Sequence, residues 1–85
     1  MSPQRIAVNH RIHAKRRLLE RFGMGVNRHE YASLVERARR TPPIKRQSLN
    51  RKVVPISLPN GAKALAIYDR ARRTIVTFLL PGMAY

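Results

Sequence analysis

The stretch VPISLPNGAKALAIY, residues 54–68, decides the fold. Val54, Ile56 and Leu58 alternate with Pro55 and Ser57, a period of two that puts one set of side chains on one face of a strand. Pro59-Asn60-Gly61 is a hairpin signal, and Ala62–Tyr68 follows as the return strand. Asp69-Arg70-Ala71-Arg72 makes the next turn, with Asp69 in a structural role at its start. Thr74–Leu80 then forms a third strand. Both of its faces are largely apolar, which predicts a central strand covered on both sides. Pro55 lacks an N–H, so its strand is expected at an edge or bulged there. Ile44–Leu49 reads as a short additional strand. Pro81-Gly82 ends the pattern.

Upstream of Pro42 the period is 3.6. Ala14, Leu18 and Phe22 recur at i, i+4, i+8, flanked by Ile12 and Leu19, and Gly23 stands where helices commonly end. This predicts a helix over Asn9–Phe22, with residues 1–8 as an extended lead-in. Asn27 is a good N-cap with Glu30 at capping-box spacing, and Tyr31, Leu34, Val35 and Ala38 form an apolar stripe. Glu36 stands four residues before Arg40, the spacing of a helix ion pair. Thr41-Pro42-Pro43 closes this second helix. The expected architecture is α+β: two N-terminal helices (residues 9–40) packed on one face of a three- to four-stranded antiparallel sheet (residues 44–80), in one domain spanning 1–85. The expected core includes Leu18, Phe22, Leu34, Val35, Ile67, Val76 and Phe78. Tyr31, on the stripe, belongs with it.

Eighty-five residues leave room for one small domain. The absence of cysteine excludes disulfide scaffolds, thiol nucleophiles and Cys-ligated zinc. The longest apolar run, Ile75–Ala84, is interrupted by Thr77, Pro81 and Gly82 and is far shorter than the ~20 residues of a membrane span. No apolar signal segment opens the chain. A soluble, cytoplasmic protein without a membrane partner is expected.

Eighteen Lys and Arg stand against four Asp and Glu, a net charge of +14. The two halves divided at Pro43 each carry +7, so the charge belongs to the folded body. Fourteen of the eighteen cations are arginine, whose planar fork grips phosphate at two points. Nucleic acid is the expected partner, with RNA favoured and an acidic protein as the alternative. Arg16, Arg21, Arg46, Arg51, Lys52 and Lys63 are the candidate contacts, and Tyr31, Tyr68 and Tyr85 are candidates for stacking bases.

Glu20, Glu30, Glu36 and Asp69 are too few for the carboxylate cluster of a two-metal nuclease. His10, His13 and His29 are badly spaced for zinc, and no phosphate-cradling Gly-rich loop is present. Neither a metal nor a cofactor is expected. Metal-independent RNA cleavage remains chemically open, because the 2′-OH is itself the nucleophile. It needs an acid/base group and donors for the phosphorane charge. On helix 1, His13, Arg16, Arg17 and Glu20 fall on the side away from Ala14, Leu18 and Phe22. The alternative for His13 is a solvated helix histidine. His10 competes for the role, and His29 reads as a surface residue. Thr77 interrupts an aliphatic run and offers a hydroxyl at the sheet centre. The alternative for it is ordinary strand composition.

The stretch His13-Ala14-x-x-Arg17-x-x-Glu20-Arg21-x-Gly23 resembles the H-A-x-x-R-x-x-E-R-x-G opening of small phage and bacterial domains grouped with the barnase–EndoU–colicin–RelE-like ribonuclease fold. The resemblance extends over about residues 10–80 through the second helix, the basic stretch, the hairpin and the ALAIYD…RTIVTFL end. It implies a metal-independent, toxin-like endoribonuclease with His13 and Thr77 at the phosphate and Arg17 in support. The strand cation it calls for is Arg51 or Lys63. It also implies an antitoxin or an acidic host protein as an alternative partner. Relatives that have lost catalysis bind nucleic acid or protein only.

Overall fold

The structure, a computed structural model, describes residues 3–83, with side chains from Asn9 onward. Two helices, α1 (Pro3–Phe22) and α2 (Arg28–Arg40), precede four strands: β1 (Lys45–Arg46), β2 (Arg51–Ser57), β3 (Lys63–Asp69) and β4 (Thr74–Leu79). The strands form one antiparallel sheet in the order β1-β2-β3-β4. The α+β architecture is thus the one the change of period predicts.

α1 starts at Pro3, six residues earlier than its periodicity predicts, so residues 3–8 are helical and not an extended lead-in. Proline suits a first helical turn, where its missing N–H has no intrahelical partner to lose. Met1 and Ser2 lie outside the described residues. Gly23 takes the left-handed conformation (φ 63°) that ends α1. In α2 the capping box is complete: the Glu30 N–H donates to Asn27 Oδ1 at 2.8 Å, and the Asn27 N–H donates to Glu30 Oε1 at 2.9 Å. Glu36 pairs with Arg40 as its spacing predicts (3.0 Å), and also with Arg39.

The β2–β3 hairpin closes with Gly61 N–H to Leu58 carbonyl and Leu58 N–H to Ala62 carbonyl, both 2.9 Å. Gly61 supplies the positive φ of 85° that the turn requires. Pro55 sits on a strand with neighbours on both sides, yet β1 pairs only with Lys52 and Val53. β2 is therefore an open edge where the proline stands, and its pairing with β3 runs without a bulge.

One core joins both helices to one sheet face. Ala14 and Leu18 of α1 and Tyr31, Leu34 and Ala38 of α2 meet Val54, Ile56, Ala66, Tyr68, Ile75 and Phe78, with Phe22 and Val35 packed at its margin. α2 lies across β2, β3 and β4, whereas α1 runs along β4. β4 is consequently the edge strand, not the central one. Its apolar residues reflect the helix that covers it, and helix cover is one way proteins protect an edge. The register slips between Ile67 and Tyr68, which pair with Thr77 and Ile75, so Val76 is left over at a bulge. This is why Val76 is only half-buried. Ile67 is half-buried on the other sheet face, where it pairs with the fully buried Val53 and with Thr77. Tyr68 is 2% exposed and belongs to the core, so it offers no free ring for stacking. Tyr85 lies outside the described residues. Among the described residues, no helix is long and apolar enough to cross a membrane.

Candidate functional site

α1 carries the row His13, Arg17, Arg21 at i, i+4, i+8, one turn apart on one side of the helix. Arg21 Nη1 donates to the Phe78 carbonyl at 2.7 Å, which fixes the end of the row beside β4, one residue from Thr77. Arg17 Nη1 pairs with Glu20 Oε2 at 2.7 Å. His13 is exposed. Its imidazole titrates below the ordinary histidine range, because desolvation and then the Arg17, Arg21 and Arg16 charges disfavour the protonated form, with Glu20 opposing them. The ring is therefore neutral at pH 7, the form that accepts a proton.

Thr77 is half-buried on the face away from the core, opposite Ile67, and lies on the edge strand rather than at the sheet centre. Among the described residues no hydrogen bond joins it to His13 or Arg17.

His10 stands at the other end of the row, half-buried, and its Nδ1 is buried without a hydrogen-bond partner. Its register with Ala14 and Leu18, at i+4 and i+8, was the available sign that it faces inward. Burial, followed by the Arg51 and Arg72 charges, lowers its pKa, and Asp69 opposes them. Asp69 is 1% exposed. Its carboxylate accepts from the Arg72 N–H (3.1 Å) and Arg72 Nη1 (3.0 Å) and pairs with Arg51 Nε (3.5 Å). It thus holds the β3–β4 turn, as its position predicts. His29 is exposed.

The six candidate nucleic-acid contacts separate into groups. Arg16 and Arg21 belong to α1. Arg51 and Lys63 lie at opposite ends of the β2–β3 pair, since Arg51 pairs with Asp69 and Lys63 with Ser57. Six residues of strand put them roughly 20 Å apart. Arg51, whose charge reaches His10, is the one at the α1 side. Arg46 and Lys52 are cross-strand partners. Lys52 is committed elsewhere: its Nζ donates to the Arg39 and Thr41 carbonyls at 3.2 and 3.0 Å, closing the C-terminus of α2, and lies 5.5 Å over the Tyr68 ring.

The sheet also assembles a feature that sequence order hides. A groove of about 660 Å³ runs between the end of α2, β1 and the β3–β4 turn, and Arg39, Arg46, Arg51, Lys52, Arg70 and Arg73 line it. The doublets were visible as charge clusters, but nothing in their spacing says that four separate segments converge. Among the described residues, no three His, Asp or Glu side chains come together as a metal-binding group.

No family model matches the chain, and comparison with curated proteins and with solved structures finds no match to it. The resemblance of about residues 10–80 to the ribonuclease-like domains therefore rests on the sequence motifs alone.

Proposed function

We propose that this chain is a cytoplasmic, metal-independent endoribonuclease-like protein acting on RNA phosphodiesters. One observation carries the reading. The His13–Arg17–Arg21 row is moored to β4 through the Phe78 carbonyl, so an acid/base group and two guanidinium groups line one side of α1 along this edge, while Thr77 lies on the opposite face of the strand and is not part of the row. In the reaction, neutral His13 takes the proton of a ribose 2′-OH. The 2′-oxygen bonds to phosphorus, the bond from phosphorus to the 5′-oxygen breaks, and water protonates the departing oxygen. The products are a 2′,3′-cyclic phosphate and a 5′-OH. Arg17 and Arg21 each retain N–H donors beyond their present bonds, and these offset the charge that builds on the phosphate.

A second reading is a binding module without cleavage, directed at nucleic acid or at an acidic host protein. The commitment of Arg17 to Glu20 and the lack of a bond between His13 and Thr77 favour it.

RNA cleavage in excess EDTA, wild type beside His13→Ala, separates the two. Cleavage is expected to fall about 10²–10⁴-fold in the variant while binding persists. The acid limb of the pH–rate profile is expected below the ordinary histidine value of ~6.5, because desolvation and then the arginine charges depress the imidazole. Wild type that binds RNA without cutting it, or a variant that cuts normally, leaves the binding module.

A further inference from the structure

We infer that the groove at the end of α2 is a track for single-stranded RNA, separate from the α1–β4 seam and reading phosphates and one base. It takes from the proposed function only that the polyanion is RNA, and it stands whether or not His13 cuts.

The charge in the groove is largely uncompensated. Its one carboxylate, Glu36, is occupied by Arg39 and Arg40. Lys52 caps α2 and Arg51 pairs with Asp69, so these two build the floor. Arg46, Arg70 and Arg73 are exposed, and their guanidinium groups have no hydrogen-bond or ion-pair partner among the described residues. Three unpaired forks around one concavity suit successive phosphates.

The backbone points the same way. Arg73 has a φ of 51°, the one positive φ outside glycine among the described residues. A turn position of this kind is ordinarily given to Gly or Asn, and an arginine there carries strain of order 1 kcal/mol or more. The position keeps a long cationic side chain at the groove at the expense of backbone comfort.

Leu49, also lining the groove, is 84% exposed, an apolar side chain amid cations. It fits the face of an unpaired base, which a duplex conceals and an acidic peptide lacks. Arg51 belongs both to this groove and to the charges acting on His10, so a strand in the groove leads toward α1.

The test uses the full chain with His13→Ala in every variant and a fluorescein-labelled oligouridylate of about twelve nucleotides, titrated at several salt concentrations. Arg46→Gln/Arg70→Gln/Arg73→Asn removes the three forks, with Asn chosen because it tolerates the left-handed backbone. Lys15→Gln/Arg28→Gln/Arg37→Gln removes the same charge elsewhere. The groove variant is expected to bind roughly tenfold or more weakly, and its log–log salt slope to shrink by about 2, at ~0.7 per lost contact. The control is expected to keep most of its slope. Leu49→Ala is expected to weaken binding several-fold with the slope unchanged. Equal losses in groove and control variants, or a groove variant that binds like the parent, overturn the inference. So does unchanged affinity in Leu49→Ala, or polyglutamate that displaces the RNA at equal charge. Because binding is read without cleavage, an inactive wild type defeats the proposed function and leaves the groove standing.

Discussion

At one edge of the sheet, β4 buries four of its six residues, and a helix of twenty residues runs along it. At the other edge, β1 has two residues, both basic and both exposed. An open strand edge invites pairing with another chain, and the protein disarms its two edges by different means. β4 is covered, and side chains take up its carbonyls: Arg21 donates to Phe78, and the Tyr31 hydroxyl donates to Ile75 at 2.9 Å. β1 is kept short and charged. The covered edge is where the core sits. The bare edge is where cations reach solvent around a groove. The buried core and the exposed cations thus lie toward opposite sides of one small sheet.

Stability measurements can break this contrast. The largest effect is expected from Leu18→Ala, which opens a cavity beneath α1 and costs about 2–5 kcal/mol in urea unfolding. Ile44→Ala, beside β1 at 53% exposure, is expected to stay within about 0.5 kcal/mol. Similar losses at both positions would erase the distinction.

Next comes Tyr31→Phe. It removes a buried hydroxyl that bonds the Ile75 carbonyl and, at 2.7 Å, Thr74 Oγ1. The groups left behind are buried, so about 1–3 kcal/mol is expected, read from the same unfolding curves. A neutral result would mean that α2 does not secure the covered edge.

The smallest effect sharpens the contrast, because it concerns the cross-strand row Arg51–Asp69–Thr74 that spans from one side to the other. Burial pushes the Asp69 carboxyl up, but the Arg72 N–H, the Arg72 guanidinium and Arg51 together outweigh it and hold the pKa below the usual value. A carboxylate depressed in the folded state stabilises above its unfolded pKa of ~3.9, and that stability disappears as pH falls through the folded value. Asp69→Asn is expected to cost about 1 kcal/mol at pH 6 and to lose less stability than wild type between pH 6 and pH 3. Identical pH dependence in the two proteins would remove Asp69 from this role.

Much of the fold was legible because local signals agreed. Asn27 and Glu30 mark the start of α2, Pro59-Asn60-Gly61 marks the hairpin, and the switch of period marks the boundary between layers. The place of β4 was not legible. An apolar strand reports that something covers it, and a helix beside an edge produces the same pattern as a strand on each side. Val76 escaped because a bulge resets the alternation within a single strand. For the candidate site, the row on α1 follows from helical spacing. Its mooring to Phe78, the diversion of Lys52 to the end of α2, and the meeting of Arg46, Arg70 and Arg73 depend on contacts across 11 to 57 positions of the chain. No window of residues contains them.

The seat of α1 on β4 sets an order of events during synthesis. The ribosome delivers α1 before its partner strand, so Ala14 and Leu18 have no β4 to rest on until residues 74–79 have emerged. The bond that moors Arg21 to the Phe78 carbonyl is likewise absent from every nascent chain that stops short of β4. Translation itself is thus the timer for this packing: α1 finds its seat only after the message has been read through β4.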